Sequence, residues 1–146
     1  MGSDRLVEAI AAFRDTDSVE TQQRVLDELA RSELIFPAAE RGPRDADVQL
    51  AFIQDQRGRP ILPGFTDEPH LSLWLPGGGP YAKAPAAAFL PTAIAGPFAG
   101  LVLNPGSDAS AFVDRRALQL LAAGKTTHVA DNKGEALVQE WTPAKR

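Results

Sequence analysis

Residues 100–110 read GLVLNPGSDAS, an apolar run that stops abruptly at a proline and a glycine. The apolar part, 101–103, predicts a buried strand. The Asn-Pro-Gly step at 104–106 predicts a tight turn, because proline fixes φ and glycine tolerates conformations that other residues avoid. The residues that follow predict a helix over about 108–123, with Ser107 or Asp108 as its N-cap. This stretch therefore indicates a strand, a tight turn and a helix in succession.

Two amphipathic helices are predicted at the start of the chain. Leu6, Ile10 and Phe13 recur at spacings of four and three, which predicts a first helix over residues 4–14. A second helix begins at Asp17, which has the spacing of a capping box with the glutamate three residues later. Two helices this close in sequence usually form an antiparallel hairpin.

Short strands and a third helix are predicted in the middle of the chain. The stretch ELIFPAA is a strand that ends at Pro37, and residues 40–47 are a polar loop. The stretch VQLAFIQD at 48–55 alternates and returns through a turn at Gly58 to PILPGF, which predicts a β-hairpin. The following FTDEPHLSLW switches to helix, with Thr66 as the expected N-cap.

The remaining segments complete an α+β fold. Residues 76–85 read PGGGPYAKAP and predict a flexible surface loop, and the alanine-rich residues 86–95 predict a short helix. The tail after Gly124 predicts a second hairpin. We expect an N-terminal helical hairpin packed with a small mixed β-sheet and two or three further helices. The chain is predicted to be one domain over 1–146, with a core of about 5–123 and a C-terminal extension at 124–146.

The amino-acid composition excludes several kinds of functional site and disfavours several kinds of partner. The chain has 146 residues and no cysteine, which excludes disulfides, cysteine-ligated metals and thiol nucleophiles. The net charge of −4, with scattered basic residues, disfavours binding to nucleic acid or anionic lipid. No signal-peptide pattern or membrane-spanning run is present. We expect a cytoplasmic protein with no cofactor, no metal, and no nucleic-acid or membrane partner.

No catalytic residue is predicted from the motifs. The run Gly124–Thr126 resembles the end of a phosphate loop, but the required glycine five positions earlier is missing. Ser107 follows a strand, but it lacks the second glycine of a nucleophile elbow. One enzymatic alternative stays open. It is a small hydrolase or transferase in which Ser107 or Thr66 works with His70 or His128.

Two motifs carry a family resemblance. PGFTDEPHLSLW at 63–74 and GLVLNPGS at 100–107 follow a helical hairpin in this order. The pattern resembles the N-terminal domain of the SseB family, the bacterial "enhanced serine sensitivity" proteins, over most of residues 5–123. The resemblance implies a small cytoplasmic bacterial α+β domain and transfers no catalytic residue. The positions that match the family motifs are Phe65, Thr66, Asn104, Pro105 and Gly106.

The same five residues form the candidate binding site. If the strands that end at Phe65 and Leu103 are parallel neighbours, their two turns lie at one edge of the sheet, where grooves usually form. We expect Phe65, Pro63 and Tyr81 to be exposed there. The favoured function is a non-enzymatic protein-interaction or regulatory module. Its expected partner is another protein or a peptide, including a second copy of the chain. The predicted groove consists of Phe65, Thr66, Asn104, Pro105 and Gly106.

Overall fold

The computed structural model describes residues 2–41, 48–50, 52–77, 79–124 and 137–139. These residues form helices and strands of the α+β class that the sequence predicts. The elements in chain order are α1 (Gly2–Asp15), α2 (Val19–Arg31), β1 (Glu33–Arg41), β2 (Val48–Leu50), β3 (Ile53–Gln54), β4 (Pro60–Gly64), α3 (Glu68–Trp74), β5 (Tyr81–Pro85), α4 (Ala86–Ala95), β6 (Gly100–Leu103), β7 (Ala111–Asp114), α5 (Arg115–Ala122) and β8 (Val138–Gln139).

The two N-terminal helices pack against each other, as predicted. The capping box of α2 lies one residue later than expected. The Thr21 amide donates to Ser18 Oγ at 3.1 Å, and the Ser18 amide donates to Thr21 Oγ1 at 2.9 Å. Asp17 instead accepts a hydrogen bond from the side chain of Gln22. This reciprocal pair satisfies amides that the first turn of a helix leaves without intrahelical partners.

The described strands form two sheets. The larger sheet has the order β3-β4-β6-β7-β8 and is mixed, because β4 and β6 are parallel while its other pairs are antiparallel. The smaller sheet has the order β2-β1-β5 and is antiparallel. The two sheets meet where Ile35 and Phe65 exchange two backbone hydrogen bonds of 2.8 Å.

The smaller sheet corrects two expectations. Pro37 does not end β1. It is paired with Tyr81 of β5, and the ladder to β2 starts only at Ala38, so the missing proline N–H interrupts no bond to β2. The second half of the predicted flexible loop, Tyr81–Pro85, is the edge strand β5. Its strand conformation comes from pairing with β1 over the range 33–37.

The predicted helix over 108–123 is wrong in its first half. Residues Ala111–Asp114 form β7, which pairs antiparallel with β6, and α5 starts only at Arg115. The N-cap is Asp114, whose side chain accepts a hydrogen bond from the Arg116 amide, and not Ser107 or Asp108. The apolar residues of this stretch also suit a helical face. Pairing with the buried strand β6 decides between the two conformations.

The main core lies between one face of the larger sheet and the helices. Leu62, Leu101 and Val113 of the sheet belong to the same buried cluster as Leu26 of α2 and Leu118 of α5. Apolar residues of this core line a small, partly open cavity of about 10 Å³. This volume holds at most about one water molecule, so the cavity is too small for an organic ligand.

Some predictions fall on residues outside the described ranges. They are most of the 40–47 loop, the hairpin proposed for the tail apart from residues 137–139, the end of the Gly124–Thr126 motif, and His128. Within the described part of the chain, no helix is long and apolar enough to cross a membrane.

Candidate functional site

The ends of β4 and β6 meet at one edge of the larger sheet. The two strands are parallel, with Gly64 paired to Leu103, and the Asn104 amide continues the ladder by donating to Gly64 O at 2.9 Å. The strands β4 and β6, which precede Phe65 and Asn104, are therefore parallel neighbours, as the predicted site requires. The turns that follow them lie side by side.

Asn104 ties these two turns together with its side chain. Its φ of 47° lies in the left-handed region, which asparagine tolerates better than most residues. Its Oδ1 accepts from the Thr66 amide at 3.0 Å. Its Nδ2 donates to Thr66 Oγ1 and to Ala109 O, both at 3.1 Å. Asn104 is fully buried, and its amide oxygen and both amide protons have partners on the chain.

Asp67 is the N-cap of α3, in place of the predicted Thr66. Its Oδ1 accepts from the His70 amide at 2.9 Å and lies 2.6 Å from His70 Nδ1. Its Oδ2 accepts from Thr66 Oγ1 at 3.0 Å. Partial burial alone would raise the pKa of Asp67, but the hydrogen bonds from His70 and Thr66 and the charge of the ring outweigh it and hold this pKa below its usual range.

The Thr66–His70 pair does not have the geometry of a nucleophile and its base. Thr66 Oγ1 lies 3.5 Å from His70 Nδ1, beyond the 2.6–3.2 Å reach expected for such a pair. Because an ionised Asp67 only accepts hydrogen bonds, Nδ1 carries the proton at their contact, and the basic lone pair of a neutral ring is on Nε2. In a catalytic triad the nucleophile and the carboxylate contact opposite nitrogens of the histidine ring, whereas Thr66 and Asp67 both contact Nδ1 of His70.

The hydroxyl of Ser107, the other predicted nucleophile, also has partners on the chain. Ser107 Oγ donates to Asn104 O at 3.0 Å and accepts from the Ala109 amide at 3.1 Å. It therefore stabilises the turn between β6 and β7. Within the described ranges, no group of three or more His, Cys, Asp or Glu side chains could hold a metal ion.

The structure brings the five candidate residues together but buries most of them. Phe65 is fully buried, with its ring centroid 5.5 Å from that of Trp74. Thr66, Asn104 and Pro105 are also buried, and Gly106 is exposed. The expected exposure of Phe65 and Pro63 is wrong, because α3 and β1 pack over this end of β4. Whether the five residues bind a partner stays a prediction.

The exposed surface at this edge is the outer side of α3. Leu73 of α3 is 68% exposed, the highest value among the large apolar residues described, and Tyr81 of β5 is 43% exposed. Tyr81 Oη donates to Glu68 Oε1 at 2.9 Å, and this bond raises the pKa of Tyr81. Sequence reasoning missed Leu73. The signal was present, because Leu73 lies outside the apolar face that Leu71 and Trp74 share.

The fold and the site define a small α+β domain in which an asparagine joins the ends of two parallel strands. Residues 6–120 match the family model of the SseB protein N-terminal domain. The chain therefore belongs to the SseB family. The matched range includes most of α1, both strands of the parallel pair, and every residue of the candidate site. No curated protein and no solved structure matches the chain.

Proposed function

We propose that this SseB-like domain is a non-enzymatic protein-interaction or regulatory module that works in the bacterial cytoplasm. Its support is that the polar side chains at the joined strand ends are occupied by the chain itself. Asn104, Thr66 and Ser107 bond to neighbouring main-chain and side-chain groups, and Asp67 caps α3. The absence of cysteine suits a reducing compartment.

The docking surface is the outer side of α3, and four of the five predicted site residues lie buried beneath this edge as its support. The single observation that carries this proposal is Leu73, a leucine that is 68% exposed on a firmly held helix. Thr66 and Asp67 fix the start of α3 to the sheet, and Glu68 joins α3 to Tyr81 of β5. A rigid apolar side chain of this kind suits an interface centre, since little conformational freedom is lost on binding.

The partner is a protein with an apolar pocket for Leu73 and basic residues around it. Exposed carboxylates at this edge, Glu68 of α3 and Asp108 of the neighbouring turn, give it an acidic rim. An acidic rim attracts a basic counterpart and repels nucleic acid and anionic lipid. The net charge of −4 acts in the same direction.

Three matched baits test this proposal. The wild-type chain and the variants Leu73→Asp and Val19→Asp are used for quantitative affinity purification from the cells that produce the protein. Val19 is also an exposed apolar residue, but it lies at the start of α2, so Val19→Asp controls for a new surface charge. We expect a partner whose recovery falls at least about tenfold with Leu73→Asp, as at an interface centre. Equal recovery of every protein on all three baits would contradict the proposal.

The hydrolase or transferase alternative has one observation in its favour, the 3.5 Å contact between Thr66 Oγ1 and His70 Nδ1. It is tested with ester and phosphoester model substrates. Turnover that is lost in both Thr66→Val and His70→Ala, with the fold intact by circular dichroism, would establish the enzyme and displace the interaction module.

A further inference from the structure

The C-terminal strand β8 is bound from both sides by groups that are distant in sequence. On one side β7 pairs with it, with Val113 opposite Val138, and the Asp114 amide donates to Leu137 O at 2.9 Å. On the other side the side chain of Gln22, from α2, accepts from the Leu137 amide at 3.2 Å and from the Val138 amide at 3.3 Å.

The side chain of Gln22 is held in the orientation that accepts these two hydrogen bonds. It is only 7% exposed, and its Nε2 donates to Asp17 Oδ1 at 2.8 Å, which holds the amide with its oxygen towards β8. The oxygen Oε1 therefore acts as the acceptor that a further strand would otherwise supply. Successive amides of an extended strand point to opposite sides, so the shared acceptor fits the bend at Leu137 where the chain enters β8. A buried side chain that receives two main-chain amides recognises this backbone shape, whatever chain it belongs to.

The segment also fits by its apolar side chains. Leu137 and Val138 are buried and belong to the main core cluster. The segment 137–139 lies outside the family match at 6–120, so the groove is made by the matched domain and its occupant is not. We define the strand groove as the space between Gln22 of α2 and the outer edge of β7.

We propose that the strand groove is a strand-exchange site, which takes residues 137–139 from its own chain or from a second copy of the chain. The second copy presents the same sequence, so every contact of the groove is reproduced. The segment is separated from Gly124 by residues 125–136, and a stretch of this length spans at most about 40 Å, which limits the distance over which exchange can occur. Short strands at a sheet edge open locally, and exchange of identical elements is a common route to dimers. This inference is independent of the α3 docking surface.

Complementation between two damaged full-length chains tests the exchange. Gln22→Met removes the acceptor of the groove and leaves the segment intact, whereas Val138→Asp damages the segment and leaves the groove intact. Mixing the two restores one good site, formed by the groove of one chain and the segment of the other. We expect a heterodimer in analytical ultracentrifugation that is at least about tenfold tighter than self-association of either variant, a difference of about 1.4 kcal/mol. Two monomers at all concentrations would overturn the proposal.

A second measurement follows exchange between chains whose groove and segment are both intact, with Val138→Asp only as the control. Because the chain has no cysteine, Gln56→Cys on the exposed β3–β4 turn supplies a single thiol for donor and acceptor dyes. The two labelled preparations are mixed at about millimolar concentration, comparable to the effective concentration that a short linker provides. We expect energy transfer that grows slowly and is abolished when Val138→Asp is added to both chains. Energy transfer that persists with Val138→Asp, or none at all, would overturn the exchange.

Discussion

Two turns of this molecule each depend on one short polar side chain, but over very different distances along the chain. In the turn between β3 and β4, Asp55 Oδ1 accepts from the amides of Arg57 and Arg59, and Oδ2 accepts from the Arg59 side chain. All these partners lie within four residues. Asn104 instead bonds to Thr66, 38 residues away. The first network shapes only its own hairpin, whereas the second fixes α3 relative to β6.

The largest expected effect is at Asn104. Asn104→Ala leaves the Thr66 amide and Ala109 O without these buried partners and places alanine, which tolerates positive φ less well than asparagine, at this position. We expect a loss of about 3–4 kcal/mol in the free energy of unfolding, from these orphaned groups and the backbone strain. Urea unfolding measures it.

Asn104→Gly is the matched control, because it removes the same hydrogen bonds without the strain at positive φ. It should recover about 1 kcal/mol relative to Asn104→Ala. A loss below about 1 kcal/mol for Asn104→Ala would show that water replaces the side chain and that Asn104 does not hold α3.

The local turn should tolerate the same kind of change better. Asp55→Ala removes an acceptor that forms an ion pair with Arg59, whose side chain is 48% exposed. Since water can reach this turn, we expect a loss of about 1–2 kcal/mol. Hydrogen exchange should become faster for the Gly58 amide and stay unchanged for the Leu71 amide of α3. Faster exchange of the Leu71 amide would contradict the conclusion that the hydrogen bonds of Asp55 stabilise only the β3–β4 turn.

The contributions of the two networks to stability can be distinguished at acid pH, because each network contains a carboxylate. Burial opposes ionisation of Asp55, but hydrogen bonds from Arg59 and Arg57 and the charge of Arg59 hold its pKa below the usual range, and the pKa of Asp67 is also lowered. Because each carboxyl has a lower pKa in the folded chain, the unfolded chain binds more protons at acid pH. The contribution of each carboxylate to the free energy of unfolding is therefore complete above the unfolded pKa of about 3.9. It is lost as the pH falls towards the folded pKa.

Asp55→Asn and Asp67→Asn should each flatten this acid loss, which urea unfolding between about pH 6 and pH 2.5 measures. Protonation of Asp67 should weaken the N-cap of α3 and make exchange of the Leu71 amide faster than the intrinsic rate at that pH explains. Asp67→Asn should remove this acid effect, whereas Asp55→Asn should not. Identical pH slopes for the wild-type chain and both variants would show that neither carboxylate is linked to stability.

The smallest effect on stability is expected at Leu73. Because its side chain is mostly exposed, Leu73→Asp should change the free energy of unfolding by no more than about 0.5 kcal/mol. A clearly larger loss would mean that Leu73 packs within the fold and is not a docking residue.

Features set by short-range pattern were predictable from the sequence. The buried face of α1, the β-hairpin around Gly58 and, to within one residue, the start of α3 depend on residues a few positions apart. The end of α5 is equally local, since Gly124 has a φ of 73° and donates to Leu121 O. The parallel pairing of β4 and β6 could be stated only as a condition, because no local pattern specifies which strands are neighbours.

The features that sequence missed are decided by distant partners. The segment Tyr81–Pro85 has no strand pattern of its own and becomes a strand beside β1. Phe65 follows a proline and a glycine, as a surface turn residue often does, and its burial depends on Ile35 and Trp74. The five candidate residues were placed correctly beside each other at the strand ends, but their burial could not be predicted from the sequence.

The Ile35–Phe65 pair joins the two sheets, and packing beside it strengthens the joint. Leu34 and Phe36 of β1 lie in the same buried cluster as Leu62 of β4, so the smaller sheet is fixed to the larger one by packing as well as by two hydrogen bonds. The hydrogen bond from Tyr81 to Glu68 spans this joint, since Tyr81 belongs to the smaller sheet and α3 is anchored to the larger one. It strengthens this joint from the outside of the fold. A protein that binds the outer side of α3 would therefore contact a surface that both sheets hold in place.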